Sequence, residues 1–296
     1  MTTAYRVTHR TEYEYERDVS SSYSQLHLLP RDLPGQHCQS ASVIVEPSPG
    51  DYRERADFFG NRVVFLAIHK PHRALTVTAT SIVEVDERPD GLSLFGQRPW
   101  EQARDAVSSG RVAGPIDAAQ FVLDSPLVEV SDVYREYALA SFSPGRHLLD
   151  AVTSLCSRIH ADFAYVPGST SVTTPLAEVF EQREGVCQDF AHIGIACLRS
   201  IGLPARYVSG YLETNPPPGR AKLSGVDGSH AWLSVLVPDA GWLDVDPTND
   251  QLVSSRYVVT AFGRDYTDVP PLSGVIYTEG KTESLRVLVD VVALAD

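Results

Sequence analysis

The sequence predicts an α+β protein, with an N-terminal antiparallel β-sandwich or barrel domain followed by a core in which one helix packs on an antiparallel sheet. Three observations carry this. Residues 3–86 are a succession of strand-like runs; a helix rich in small residues begins at Cys187; and two strand-like runs separated by Pro238-Asp239-Ala240-Gly241 follow it. With 296 residues the chain can bury a large core, and its 43% hydrophobic and 21% charged content is ordinary for a globular protein.

Taken in order, Tyr5, Val7, His9, Thr11, Tyr13 and Tyr15 alternate with polar residues, the period of a half-buried strand. Asp57 to Phe65 reads as a hairpin turning at Gly60-Asn61, and Ala74 to Val85 is a long β-branched run that closes a β domain over residues 1–86. Residues 87–131 are punctuated by Pro and Gly and form a connector, with one short helix near Trp100 to Val107. Residues 132–296 form the core. Leu148, Leu149, Val152, Leu155, Ile159 and Phe163 mark an amphipathic helix leading into it. From Cys187, the positions Phe190, Ile193, Cys197, Leu198 and Ile201 recur at helical spacing until Gly202 and Pro204 stop the helix. His230 to Val237 and Trp242 to Asp246 are the two arms of a hairpin. The terminal run Leu285 to Leu294 is apolar and β-branched, would aggregate as a bare edge, and is expected to return to the β domain.

The chemistry concentrates at Cys187, in Glu184-Gly185-Val186-Cys187-Gln188-Asp189-Phe190. Gly185 is read as a positive-φ residue that turns the chain sharply into the helix. Cys187 then falls in the first turn, where unpaired amides and the macrodipole favour a thiolate and could receive an oxyanion. The hairpin would place His230 near one end and Asp246 roughly opposite it, so that Asp246 holds one imidazole nitrogen while the other faces the sulfur. Cys, His and Asp are the parts of a nucleophile, its base and the group that orients the base.

The segments Gly185 to His192, Gly202 to Tyr211, Ser229-His230-Ala231-Trp232 and Asp246-Pro247-Thr248-Asn249 together resemble the transglutaminase-like superfamily, in particular its bacterial branch with an N-terminal β domain. The match covers about Phe163 to Asn249, and the opening Tyr5 to Tyr15 and ending Leu285 to Val292 are similar to that branch's terminal strands. The resemblance implies a papain-like Cys–His–Asp core, with Cys187 as nucleophile, His230 as base and Asp246 as orienting acid. It implies a thioester acyl-enzyme formed from a carboxamide or peptide bond and resolved by a primary amine, as in transglutaminases, or by water, as in cysteine proteases and amidases. A non-catalytic binding module on the same fold is the alternative from a different class.

Other residues are weighed against plainer roles. Asp244 lies on the same strand face as Asp246, and only the Asp-Pro-Thr-Asn resemblance selects Asp246. Tyr211 and Trp232 fit the lining of an acyl channel and buried aromatics equally well, and Tyr165 is a side-chain oxyanion donor or a packing residue. Cys38, Cys156, Cys197 and His192 read as packing residues, and Asp189 as a charge at the helix N-terminus. No Cys or His pair has metal-ligand spacing and no EF-hand-like acidic cluster occurs, so neither metal nor cofactor is expected. A net charge of −13 argues against nucleic acid and anionic membranes, and no apolar run suits a span. With no signal-like h-region, the reading is cytoplasmic, with all four cysteines reduced.

Overall fold

A computed structural model of the chain describes residues 2–87, 97–112, 115–214 and 228–294. The architecture is α+β. The N-terminal region contributes β1 (Thr2–Leu26), β2 (Gln36–Glu46), β3 (Asp51–Ala56), β4 (Arg62–Ile68) and β5 (His72–Asp86). Next come helices α1 (Trp100–Ser108), α2 (Pro115–Ala119), α3 (Asp132–Leu139) and α4 (Leu148–Asp162), then β6 (Ala164–Tyr165), α5 (Leu176–Gln182) and β7 (Glu184–Gly185). The core continues with α6 (Cys187–Ser200), β8 (Ala205–Leu212), β9 (Ser229–Val237), β10 (Gly241–Asp246), β11 (Gln251–Leu252) and β12 (Tyr257–Gly263). The chain ends in β13 (Leu272–Thr278) and β14 (Thr282–Ala293). The Pro- and Gly-containing stretch 88–96 of the expected connector lies outside the described residues.

Seven strands form one curled antiparallel sheet around β1, which runs well beyond the alternating stretch that announced it. One side of β1 pairs with β5 and then β4; the other pairs with β14 and then β13. The alternation of β1 is realised, with Tyr5, Val7, His9 and Thr11 buried. The hairpin between β3 and β4 turns at Gly60, whose φ of +75° suits a residue without Cβ. β14 lies against β1 from Tyr5↔Ala293 to Tyr13↔Leu285, and its Val289 and Val291 join Tyr5, Val7, Val83 and Val85 in one buried cluster. Tyr211 and Val258 of the second sheet complete that cluster, so the C-terminal strand helps weld the two sheets together.

The second sheet is antiparallel, in the order β11-β10-β9-β8-β12. One face carries Tyr207, Leu233, Val235, Leu243 and Val245 into the main core beneath α6, with α4 alongside. The other face carries Val208, Trp232, Tyr257 and Val259 into a smaller cluster. Gly194 sets how closely α6 approaches: a Cβ there would sit 2.3 Å from Leu233 Cδ2. The free side of β12 is closed by side-chain amides that imitate a neighbouring strand. Gln36 Nε2 donates to Val259 O (2.8 Å) while Val259 N donates to Gln36 Oε1 (2.8 Å), and Asn61 treats Phe262 in the same way (2.9 and 3.0 Å).

Removing residues 285–296 would take Val289 and Val291 out of their cluster, each a side chain whose burial stabilises by roughly 1.5–3 kcal/mol, and would bare the edge of β1. The truncated chain is expected to be insoluble or unfolded on expression. A soluble truncation with an unchanged melting temperature would contradict this.

Candidate active site

The geometry begins with the two-strand parallel bridge of β6 and β7, which pairs Tyr165 with Gly185 and fixes the chain entering α6. Val186 is extended and is the residue before the helix; Cys187 is its first residue, half-buried at the N-terminus. Asp189 secures this turn by accepting from Val186 N (2.8 Å) and from Thr170 Oγ1 (2.6 Å), so its role is to cap the helix. Burial pushes the Asp189 carboxyl up despite those two bonds. Gly185 is needed for a reason other than the one expected. It does not have a positive φ; instead, a Cβ would fall 2.8 Å from Asp189 Oδ2 and 2.9 Å from Asp189 Cβ.

His230 is the second residue of β9, and Asp246 is the last of β10. The register Val245↔Leu233 puts Asp246 level with Trp232, so it meets His230, two residues along β9, on the diagonal, and the longer reach is closed by the side chains. His230 Nε2–H donates to Asp246 Oδ2 (2.7 Å), which leaves Nδ1 available to Cys187 in the same cleft. Asp246 is fully buried yet well supplied with donors. Tyr257 OH and Asn249 Nδ2 also donate to Oδ2 (both 2.7 Å), and Oδ1 accepts from Thr248 N (2.9 Å) and Asn249 N (3.3 Å). Asp-Pro-Thr-Asn is thus a turn that folds back on its own carboxylate. Asp244, the competitor for this role, accepts instead from Ser234 Oγ inside the sheet.

Burial opposes charge at both members of this pair, and in both the partner outweighs it. Hydrogen bonds and charge from Asp246 and Cys187 raise His230 to about 10, and His230 with the other donors holds Asp246 below the usual carboxylate range. Burial pushes the Cys156 thiol up to about 12, raises Cys197 further, and raises Cys38 despite Arg62 beside it.

Cys187 and His230 line a cleft of about 370 Å³ together with Tyr165, Leu212, Thr214 and Asn249. Tyr165 therefore belongs to the cleft, half-exposed with its ring perpendicular to that of Phe190, rather than to the core. Tyr211 and Trp232 do not line it. Tyr211 is buried beneath the sheet, where its hydroxyl meets His9 Nδ1 (3.1 Å), because its strand position points it at the N-terminal sheet. Trp232 is fully buried beneath His230, ring centres 6.1 Å apart, and packs edge-on to Tyr257. His192 is a satisfied core residue that accepts from Tyr266 N (3.2 Å), and burial lowers it to about 4. Tyr257 and Asn249 are the site residues that sequence reasoning gave no role. Asn249 stood in a motif already singled out, whereas nothing local to Tyr257 signals its contact with Asp246. Among the described residues no three His, Cys, Asp or Glu side chains gather as a metal-holding group.

A half-exposed thiol at a helix N-terminus thus shares a cleft with a histidine held by a buried aspartate. Residues 5–84 match the bacterial transglutaminase-like N-terminal region, and residues 136–247 match the transglutaminase-like superfamily. The chain belongs to the transglutaminase-like superfamily. It is 48% identical over 294 residues to an uncharacterised protein of Mycobacterium tuberculosis, covering 97% of this chain and 92% of that one. Over 102 residues, 33% of this chain and 15% of the relative, it is 38% identical to a protein-glutamine gamma-glutamyltransferase of Pseudomonas aeruginosa. The crystal structure of a candidate cysteine protease from Cytophaga hutchinsonii shares the fold, with a TM-score of 0.74 at 22% identity, covering 100% of this chain and 93% of that one.

Two expectations follow. Gly185→Ala forces the Asp189 cap apart and is expected to cost about 1–3 kcal/mol, read as a lower denaturation midpoint; an unchanged midpoint would show that the turn can absorb a methyl group. The second concerns pH. His230 is more basic folded than unfolded, so its stabilisation is complete below about pH 6.5 and is lost as pH rises through about 10. Between pH 7 and 10 the wild type should therefore lose stability faster than Asp246→Asn in denaturant melts, and parallel curves would refute the pairing.

Proposed function

We propose that the protein is a cysteine-dependent acyl-transfer enzyme acting on carboxamide or peptide bonds, with Cys187 as nucleophile, His230 as acid and base, and Asp246 as the residue that orients His230. The observation that carries this reading is the 2.7 Å bond between His230 Nε2 and the buried Asp246, which turns the other ring nitrogen towards Cys187 at the start of α6. In the first half-reaction Cys187 Sγ attacks the carbonyl carbon, and the amide at the head of α6 receives the developing oxyanion. The tetrahedral species collapses as His230 gives its proton to the departing amine, leaving a thioester on Cys187. In the second half-reaction His230 takes a proton from the acceptor, which attacks the thioester and restores the thiolate. An amine acceptor gives a new amide, the reaction named for the Pseudomonas aeruginosa relative; water gives hydrolysis. On this reading Tyr165, which pairs with Gly185 across the β6–β7 bridge and lines the same cleft, adds a hydroxyl to the oxyanion site. No cofactor takes part. The reading requires Cys187 as a free thiol, and the four cysteines are unpaired, which fits a reducing compartment such as the cytoplasm.

The test is mass spectrometry of a glutamine- and asparagine-containing peptide library incubated with the enzyme, with and without a primary amine. Cleavage, deamidation and amine incorporation are distinguished by product mass. Cys187→Ala should remove all three while leaving the fold intact, and His230→Ala should do nearly the same. Asp246→Asn should cost on the order of 10⁴ in kcat by analogy with other triads, and Asp244→Asn far less. Iodoacetamide near neutral pH should label Cys187 ahead of Cys38, Cys156 and Cys197. Equal labelling of all four in the folded protein, or turnover by Cys187→Ala, would overturn the reading.

A further inference from the structure

We propose that Tyr257 is a positioning residue for the Asp246–His230 pair, and that Gln251 in turn orients the Tyr257 hydroxyl. The inference rests on the function proposed above and adds a fourth and a fifth member to its site. Three donors converge on Asp246 Oδ2: His230 Nε2, Asn249 Nδ2 and Tyr257 OH, each at 2.7 Å. Asn249 is three residues from Asp246 and moves with the same turn. Tyr257 is different, because it stands on β12, at the opposite edge of the sheet from the strands that meet at Asp246. Its hydroxyl ties the carboxylate to a separate element, so the carboxylate cannot swing about its own side-chain bonds without breaking that tie.

The hydroxyl has its direction imposed. Gln251 Nε2 donates to Tyr257 OH (2.5 Å), which occupies a lone pair of the phenol oxygen and leaves the phenol proton for Asp246. The ring is held as well: it is buried, stands edge-on to Trp232 with centres 5.2 Å apart, and lies 6.0 Å from the His230 ring. The imidazole therefore rests over Trp232 and Tyr257 while its acceptor is fixed by the same tyrosine. Burial, with the charge of Asp246 added, raises Tyr257 above the ordinary phenol range, so it remains a proton donor across the working pH of any such enzyme. The titratable groups facing His230 are Cys187 from α6, Asp246 from the end of β10 and Tyr257 from β12, with Tyr165 across the cleft.

The test compares the wild type with Tyr257→Phe, which keeps the ring and removes the donor, and with Gln251→Ala. The His230 imidazole is titrated by NMR on protein labelled at histidine, a measurement that does not depend on turnover. Loss of the tie weakens the His230–Asp246 bond, so the His230 titration and the alkaline limb of kcat/KM should move down by about one pH unit in Tyr257→Phe, the size expected for one hydrogen bond. kcat should fall about tenfold with KM unchanged, and Gln251→Ala should move the titration in the same direction by less. An unmoved titration would reduce Tyr257 to a packing residue, and an upward shift would mean that it only draws charge from the carboxylate; either result overturns the proposal. Should Tyr257→Phe not fold, the Gln251→Ala titration decides by its sign. If the shift is found while Cys187→Ala proves fully active, the positioning role stands and the proposed function fails.

Discussion

The close seat of α6 on the second sheet is the constraint on which the rest depends. Gly194 permits it: any side chain there would drive into Leu233, so that either the Leu233 side chain or the helix would have to shift. Leu233 is three residues along β9 from His230, and Cys187 is seven residues along α6 from Gly194. Core packing two turns below the cleft thus bears on how the thiol and the imidazole are held. Interiors transmit such changes because they are close-packed and yield little. The core beneath α6 is accordingly made of residues that either interlock or vanish: Ile193, Cys197 and Leu198 fill, while Ala191, Gly194 and Ala196 recede.

The second constraint is the burial of charge. Asp246 has no solvent contact, and an ionised carboxylate so placed survives only when its lone pairs are occupied. Two main-chain donors, an amide, a phenol and an imidazole occupy them. Arg199 shows the same rule with the opposite sign. It is nearly fully buried at the far end of α6, where its guanidinium donates to the carbonyls of Ala205, Leu123 and Arg264 and to Ser125 Oγ. It thereby ties the helix end to β8 and to the segment after α2. A charge-bearing network thus stands at each end of α6.

How much of this could be read in the sequence depends on whether the signal was local. The alternation of Tyr5 to Thr11, the turn at Gly60-Asn61 and the helical spacing from Cys187 are all properties of adjacent residues, and each corresponds to an element at that place. Helices α3 and α5 were not foreseen; they are eight and seven residues long, too short to display a clear period, and the packing of Tyr134 and Val179 in the core holds them. The need for glycine at 185 was visible, but its reason was not, because the clash with Asp189 exists only once the helix has turned. Asp246 could be told from Asp244 only through a motif. The physical difference is the turn that follows Asp246, which supplies two amides, whereas Asp244 lies mid-strand opposite Ser234. Tyr211, Trp232 and Tyr257 depended on which face of which strand meets which neighbour. A strand pattern fixes the alternation of faces but not what each face meets.

The N-terminal sheet has a definite part in this geometry. β12 is the edge strand that carries Tyr257, and an edge strand has unsatisfied backbone groups along its open side. Here Gln36, at the head of β2, and Asn61, in the turn before β4, supply amide pairs to Val259 and Phe262, and both side chains are buried where they do so. Each amide satisfies one donor and one acceptor of β12 at once, as a paired strand would. Val258, one residue before Val259, packs with Val83, Val85, Val289 and Val291 of the N-terminal sheet. A chain of contacts therefore runs from the N-terminal sheet through Gln36 and β12 to Tyr257, from there to Asp246, and from Asp246 to the imidazole beside Cys187. On this geometry the N-terminal region acts as a brace for the edge strand that carries Tyr257, which gives a physical reason for the two regions to occur in one chain.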